Sequence, residues 1–380
     1  MVNNPWLVLV VLLIVVVVAI EVQSKTKVTR ALGSVLIAIL LATALANLGI
    51  LPPSSSTYDA LDGVVVNLAI TFVLLGVDFR GVLKAGRAML GAFGLGVLGT
   101  AIGATVGALI VHEWLGAETW KLAGQYTGTY TGGSVNFVAV GQSLGTSPEL
   151  YTAAIAADNV TTTLWVAVCL SAPLLFARWW PAVSPNAYNA HGSDEKLTHG
   201  LDETSRPITL RDTAVIGALG MGLTWMAGWL GGVIPGVPSV LWLTTMALLV
   251  AQTPVVRRLE GAALWGNYLM HLFLATIGAR SVIAEIIKVG PVVFYFTVVV
   301  VAVHGLVVFG VGRFWKLDLQ VLSIASQANV GGPASAIALA TAKGYSKLVV
   351  PAAAVGLLGY AVGNYTGLSV ARIVRGILGA

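Results

Sequence analysis

The stretch from Gly124 to Val160, GQYTGTYTGGSVNFVAVGQSLGTSPELYTAAIAADNV, decides the fold. It is apolar enough to lie in a membrane, yet Thr127, Thr129, Thr131, Gly132 and Gly133 crowd the place where a spanning helix should be strongest. Glycine costs about 1 kcal/mol against alanine in a helix interior. At membrane depth, non-helical backbone survives only where protein or a water-filled cavity satisfies its polar groups. A second stretch from Ser323 to Gly344, SIASQANVGGPASAIALATAKG, is built the same way. Aligning Gly132-Gly133 on Gly331-Gly332 also brings Gly145 onto Gly344 and Ala139 onto Ala338, which sets a repeat of about 199 residues. Two interrupted apolar segments at corresponding places in two halves are the sequence pointer to a transporter's binding site.

Working outward, the 380 residues are 57% hydrophobic and 10% charged, with a mean hydropathy of +0.88. Length alone would allow two or three soluble domains, but this composition describes an all-α polytopic membrane protein. The net charge of +5 is spread over short loops, so it reads as topology information and not as a nucleic-acid footprint. The single cysteine, Cys169, excludes a disulfide framework and a cysteine-ligated metal site. Met1 to Trp6 lacks the basic start of a signal peptide, so Trp6–Ile20 is expected to be a retained first span.

Twelve apolar segments are expected. The first half holds Trp6–Ile20, Ala31–Leu48, Leu61–Val77, Met89–Val111, Trp120–Gly145 (interrupted) and Leu150–Ala177. The second holds Thr213–Val233, Ser239–Ala251, Ala262–Ile277, Pro291–Val311, Leu319–Gly344 (interrupted) and Leu348–Val374. The division is therefore residues 1–177 and 212–380 as membrane repeats, joined by a polar linker over 178–211 that carries Asp194, Glu195, Lys196, Asp202, Glu203 and Arg206. Gly99, Gly103 and Gly107 form a small-residue face for close helix approach.

Basic residues choose the orientation. Lys25, Lys27 and Arg30 follow the first segment, and Arg80, Lys84 and Arg87 follow the third, so an outside N-terminus puts both clusters in the cytoplasm. If the interrupted segments do not fully cross, each half has five spans and the halves are inverted; Arg257, Arg258, Lys316, Lys343 and Lys347 then also fall inside. If they do cross, the repeats are parallel and the Arg257-Arg258 pair lands outside. The rule favours inversion, although Arg372 and Arg375 oppose either version. The two interruptions are then expected to meet at mid-membrane.

Asp158-Asn159 stands near mid-bilayer in the sixth segment, with Thr161, Thr162 and Thr163 just beyond. A carboxylate there is tolerated when it is paired, ligated or protonated. The bland reading is a protonated Asp158 bonded to a neighbouring helix; the functional one is an ion site of Asp158, Asn159 and Thr162, with sodium as the metal at Asp158 or a proton in its place. After Gly133, and after Gly332-Pro333, a helix can restart, and its N-terminus suits an anion. The expected substrate site is Thr129, Thr131, Gly132, Gly133, Ser134 and Asn136 at the first restart, with Gln327, Asn329, Gly331, Gly332 and Ser335 at the second. Asn364 in the last segment is added as a cavity residue. Any one of these can equally be a capping group that mends the backbone. His271 and His304 read as packed, hydrogen-bonded histidines.

The phrases TGGSVNFVAVGQSLG, PELYTAAIAADNV and QANVGGPASAIALATAKGYSKLVVPAAAVGLLGYAVGNYTGL resemble the YjcL-like "domain of unknown function" family of membrane proteins over nearly the whole chain. That family implies architecture and no substrate. More remotely, the plan is similar to sodium–glutamate symporters, bile-acid-type sodium symporters and cation/proton antiporters. Those families share inverted repeats, interrupted helices and an acidic residue on the helix after the first interruption, a role that Asp158 fills by position. Asn159 stands where the antiporters have a second acid, a departure that bears against pure proton exchange.

The expected function is secondary active transport of a small anionic metabolite (a carboxylate, amino acid or small peptide) coupled to sodium or protons. The alternative is a cation/proton antiporter without organic substrate. No cofactor is expected beyond the transported ion, and no enzymatic activity: Ser134 lacks a Gly-x-Ser-x-Gly elbow, and Asp158 lacks a second deep acid. The expected setting is the inner (plasma) membrane, with the lipid bilayer, a small-molecule substrate and a second copy in a homodimer as partners, and no nucleic acid.

Overall fold

Runs of Val, Leu, Ile and Ala about 20 residues long, punctuated by Gly and Pro, are enough to span a bilayer as helices, and that is how this chain folds. The computed structural model describes residues 4–77, 79, 82, 85–180 and 207–380, which form helices joined by short turns and loops, with no strand among them. Most of the expected linker lies outside the described residues, including Asp194, Glu195, Lys196, Asp202, Glu203 and Arg206, as do Asp78, Arg80 and Lys84. Among the described residues, seven helical stretches are long and apolar enough to cross a membrane. The molecule is a multi-pass membrane protein.

In the first half α1 is Pro5–Gln23, α2 is Lys27–Asn47 and α3 is Ser56–Leu75, the last with a π-turn at Leu61–Val65. Then come α4 (Gly86–Leu115), α5 (Thr119–Gly132), α6 (Ser134–Leu144) and α7 (Pro148–Leu175). The second half is α8 (Leu210–Val233), α9 (Ser239–Ala251), α10 (Ala262–Arg280), α11 (Ile283–Phe314), α12 (Leu319–Ala342) and α13 (Ser346–Leu378).

Both interruptions are present, each at the second glycine of its pair. Gly133 has φ 104° and ψ −175°, and Gly332, inside α12, has φ 73° and ψ −173°. This is a backbone region essentially reserved for glycine. The helix restarts at once, at Ser134 in the first case and at Pro333, a favourable first-turn residue, in the second.

The first interruption is a hairpin. Lys121 Nζ donates to the Gly145 carbonyl (2.7 Å), the Ser147 amide to Glu118 Oε2 (3.0 Å) and Thr146 Oγ1 to Gln125 Oε1 (2.8 Å). The chain thus returns beside its own start, with α6 antiparallel to α5. The second closes in the same way. Gln327 Nε2 donates to Ser335 Oγ across the tip (3.0 Å), and Asp318 before the first arm neighbours Tyr345 after the second. Burial and then that carboxylate raise the Tyr345 phenol above its ordinary value.

The helices form two bundles. In one, α2 packs on α1 and α10, α3 on α10, α9 and α8, and α8 on α9. In the other, α4 packs on α11, α5 on α13, and α7 on α11 and α12. The small face of α4 does what its spacing suggests. A Cβ on Gly103 would lie 2.5 Å from the Val300 carbonyl oxygen and one on Gly107 2.6 Å from the Phe296 ring, so α4 and α11 touch backbone to backbone.

Candidate functional site

An α-helix brings residues three and four apart onto one face, so Ile155, Asp158, Asn159 and Thr162 share a side of α7. Ile155, Asp158 and Asn159 line a cleft of about 220 Å³ together with Ser134, Phe137 and Val138 of α6. The facing wall belongs to the other bundle: Gln23, Leu32, Gly33, Ser34 and Val35 from the α1–α2 region, and Leu274 from α10. The cleft therefore lies on the seam between the bundles.

Asp158 accepts a hydrogen bond from Thr162 Oγ1 (3.2 Å), and among the described residues it forms no ion pair. Asn159 gives its amide N–H to the Ile155 carbonyl (2.9 Å), which leaves its oxygen as an available acceptor. At the start of α6, the Asn136 and Phe137 amides bond to the Gly133 carbonyl. The Ser134 and Val135 amides have no partner among the described residues. The positive end of α6 thus opens where exposed Ser134 meets the cleft.

The facing wall contains a third break. Gly33 has φ 76° and ψ 152° inside α2, and the helix resumes at Ser34. In His271 the Nδ1–H donates to the Asn267 carbonyl (2.7 Å), which leaves Nε2 to accept from the Ser34 hydroxyl (2.7 Å). A Gly-Ser step thus faces the cleft from each bundle.

Behind the cleft the hairpin tips are buried. Asn136 Nδ2 donates to the Gly359 carbonyl (3.0 Å), and Asn329 Nδ2 to the Thr131 carbonyl (3.5 Å). Because these partners are carbonyls, the amide orientations are fixed, and Asn136 Oδ1 and Asn329 Oδ1 are left buried without partners among the described residues, as are Gln327 Oε1 and Asn364 Oδ1. A directional chain ties the tips together. Trp165 Nε1 donates to Ser326 Oγ (3.0 Å), Ser326 to His304 Nε2 (2.9 Å), and His304 Nδ1–H to the Gly96 carbonyl (3.0 Å) and to Thr100 Oγ1 (2.9 Å). Thr100 in turn donates to the Tyr130 carbonyl (3.0 Å). Both membrane histidines are therefore packed and hydrogen-bonded.

Of the residues picked from sequence, the structure gathers Asp158, Asn159 and Ser134 at one cleft, with Thr162 bonded to Asp158. Thr129, Thr131, Gly132, Gly133, Asn136, Asn329 and Gly332 are buried at the tip contact, and Gln327, Gly331 and Ser335 belong to the second hairpin. Asn364 is buried against α9, where its Nδ2 donates to Thr244 Oγ1 (2.8 Å). Sequence reasoning missed Gln23, Gly33 and Ser34. The Gly-Ser step shared by 33–34 and 133–134 is the signal that points to the last two.

Over residues 7–377 the chain matches the family described as "Protein of unknown function (DUF819)". It is also similar to the uncharacterized membrane protein YjcL of Bacillus subtilis (strain 168), with 27% identity over 363 residues that cover 92% of this chain and 91% of that protein.

Proposed function

This chain belongs to the DUF819 family, and we propose that it is a secondary active transporter of a small anionic metabolite, coupled to sodium or protons through Asp158. One observation carries the reading: a carboxylate with no ion-pair partner among the described residues faces a cleft on the seam between two helix bundles, beside the open N-terminus of α6. A cation at Asp158 and an anion at the Ser134 and Val135 amides would neutralise each other there. Binding of either then favours the other by the same factor.

Inverted repeats support alternating access. With each interruption folded into a hairpin, and with α2, α9 and α10 taken as spans beside the seven long apolar stretches, each half has five spans and the second half runs opposite to the first. The helix neighbours correspond in couples under that operation: α1–α2 with α8–α9, α2–α10 with α9–α3, and α7–α12 with α13–α5. Lys25, Lys27, Arg87, Arg257, Arg258, Lys316 and Lys343 then share one face of the membrane, which the positive-inside rule makes cytoplasmic. The cleft runs from Ser134 to Gln23, at the end of α1 on that face. On the opposite side, Asn364–Thr244 (2.8 Å) and Tyr365–Thr245 (2.6 Å) hydrogen bonds hold α13 against α9. On this proposal the cleft is the inward-open side and the α9–α13 contact is the closed outer gate. The inner membrane and a homodimer paired through the α1–α3 and α8–α10 bundle complete the proposal.

A transporter reading is preferred over an enzyme. His271 reaches Ser34 and His304 reaches Ser326, and neither has Ser134 among its hydrogen-bond partners. The second reading, a cation/proton antiporter, is favoured by one fact: among the described residues no Lys or Arg side chain lines the cleft. A thermal-shift screen of small carboxylates with and without sodium, followed by uptake into proteoliposomes, separates the two. Sodium-dependent stabilisation and uptake of an organic anion support the symporter. Collapse of a pH gradient by sodium, with no organic ligand found, supports the antiporter.

A further inference from the structure

We propose that the Tyr130 hydroxyl is a ligand of the cation held at Asp158, and that this cation is sodium; the inference rests on the reading of Asp158 as the coupling site. Tyr130 lies on α5, two residues before the Gly132-Gly133 tip, and is fully buried. Its hydroxyl sits against the Asp158 carboxylate and Thr161, but among the described residues no partner meets it at full hydrogen-bond geometry. A hydroxyl offers one donor and two acceptor sites, and leaving it unsatisfied in the interior costs about 1–3 kcal/mol. Phenylalanine would fill the same space without that cost.

The ring is held in place by its neighbours. It stacks on Tyr126 with centroids 5.8 Å apart and planes 7° from parallel. The Tyr130 carbonyl is fixed by Thr100, itself bonded to His304. The oxygen is therefore positioned and not merely accommodated.

The surrounding oxygens have lone pairs to offer. Thr297 Oγ1 gives its hydrogen to the Phe294 carbonyl (2.8 Å). In the 2.7 Å contact between Thr161 and Thr297, Thr161 must then be the donor. Its own oxygen is left with acceptor capacity only. Thr162 Oγ1 stands 3.2 Å from Asp158 Oδ1. Asp158, Tyr130, Thr161 and Thr162 thus supply hard oxygens from two helices with a single negative charge. Oxygen ligands of that kind suit hard cations, and one carboxylate is a poor match for calcium, which gathers six to eight oxygens. A bound proton needs one carboxylate oxygen and gives no reason to assemble hydroxyls around it. Because Tyr130 and the free Ser134 amide flank the same tip, sodium binding would fix the hairpin that receives the anion.

The test uses the full-length protein in nanodiscs, with sodium chloride as the probe and choline chloride holding ionic strength constant. Specific binding raises the unfolding temperature with ligand concentration. The parent is expected to respond to sodium. Tyr130→Phe is expected to fold and to be about as stable as the parent without sodium, because the hydroxyl meets no partner at full hydrogen-bond geometry among the described residues. The sodium concentration for half its effect should rise tenfold or more. Thr161→Val is expected to raise it as well, and serves if Tyr130→Phe does not fold. Asp158→Asn should abolish the response. If Asp158→Asn loses the response while Tyr130→Phe and Thr161→Val keep the parent's half-effect concentration, the hydroxyl assignment is overturned and the coupling site stands. If Asp158→Asn responds like the parent, the coupling-site reading falls with it. A parent indifferent to sodium overturns the choice of cation.

Discussion

Gly133 and Gly332 face each other at the tips of the two hairpins. A Cβ on Gly133 would lie 3.8 Å from the Gly332 Cα, and one on Gly332 would lie 3.9 Å from the Gly133 Cα. The space between them would admit a methyl group, so crowding is not what requires glycine here. The requirement is the backbone, with φ of 104° and 73°. Gly133→Ala and Gly332→Ala should each destabilise the protein by about 1–3 kcal/mol through backbone strain and reduce transport. Thermal unfolding in detergent measures the first effect and proteoliposome uptake the second.

The preceding glycines differ from each other. A Cβ on Gly132 would lie 2.1 Å from the Gly359 carbonyl carbon, in the backbone of α13, which cannot move aside. On Gly331 it would meet Gln327 Nε2 and Ser335 Oγ, both at 2.3 Å, which are the ends of side chains. Gly132→Ala should therefore lower expression and stability by separating α5 from α13. Gly331→Ala should fold, with the Gln327–Ser335 hydrogen bond displaced. Size-exclusion profiles and unfolding temperatures of the two variants, side by side, check the contrast.

The interruptions were legible in the sequence because breaking a helix requires unusual residues, and Gly132-Gly133 and Gly331-Gly332 stand out from an apolar run. That each interruption is a hairpin was not legible. The bonds that close the first, from Lys121 to Gly145 and from Ser147 to Glu118, join ordinary residues over 24 and 29 positions. Asp158 was visible because a carboxylate in an apolar segment is costly. Tyr130 carried no such mark, since a tyrosine fits an apolar run without comment. The facing wall of the cleft was hidden because it comes from helices more than a hundred residues away in the chain, and no local pattern encodes which bundle packs against which.

The proposed outer gate gives a trapping experiment. Cys169, the only cysteine, is buried, so a Cys169→Ala background leaves the chain free of thiols. Thr245→Cys combined with Tyr365→Cys replaces the hydroxyls that meet at 2.6 Å. Joining the pair with a short thiol cross-linker should stop uptake while leaving ligand binding from the cytoplasmic face intact, and cleaving the cross-link should restore transport. Full transport by the cross-linked protein would show that this contact does not open.

Asp62 tests the bundle that carries the facing wall. It sits in the π-turn of α3 and accepts from Arg280 Nη1 (2.6 Å) and Thr276 Oγ1 (3.2 Å). Asp59, its neighbour on Arg280, is 81% exposed. Asp62→Ala leaves a partly buried guanidinium short of its better partner and should cost about 1–3 kcal/mol. Asp59→Ala should cost less than about 1 kcal/mol, as exposed ion pairs do. Chemical unfolding of the two variants compares them directly.

The central claim is that Asp158 binds the coupling ion, and Asp158→Asn tests it most directly because it keeps the side chain's size and removes only its charge. The measurement is uptake of the ligand found in the carboxylate screen, in proteoliposomes with and without sodium and pH gradients, beside the unfolding temperature of the same preparation. The expected result is a folded protein whose uptake no longer responds to either gradient, with any residual ligand binding independent of sodium and pH. Uptake by Asp158→Asn with the parent's ion dependence would contradict the account and make Asp158 a structural residue.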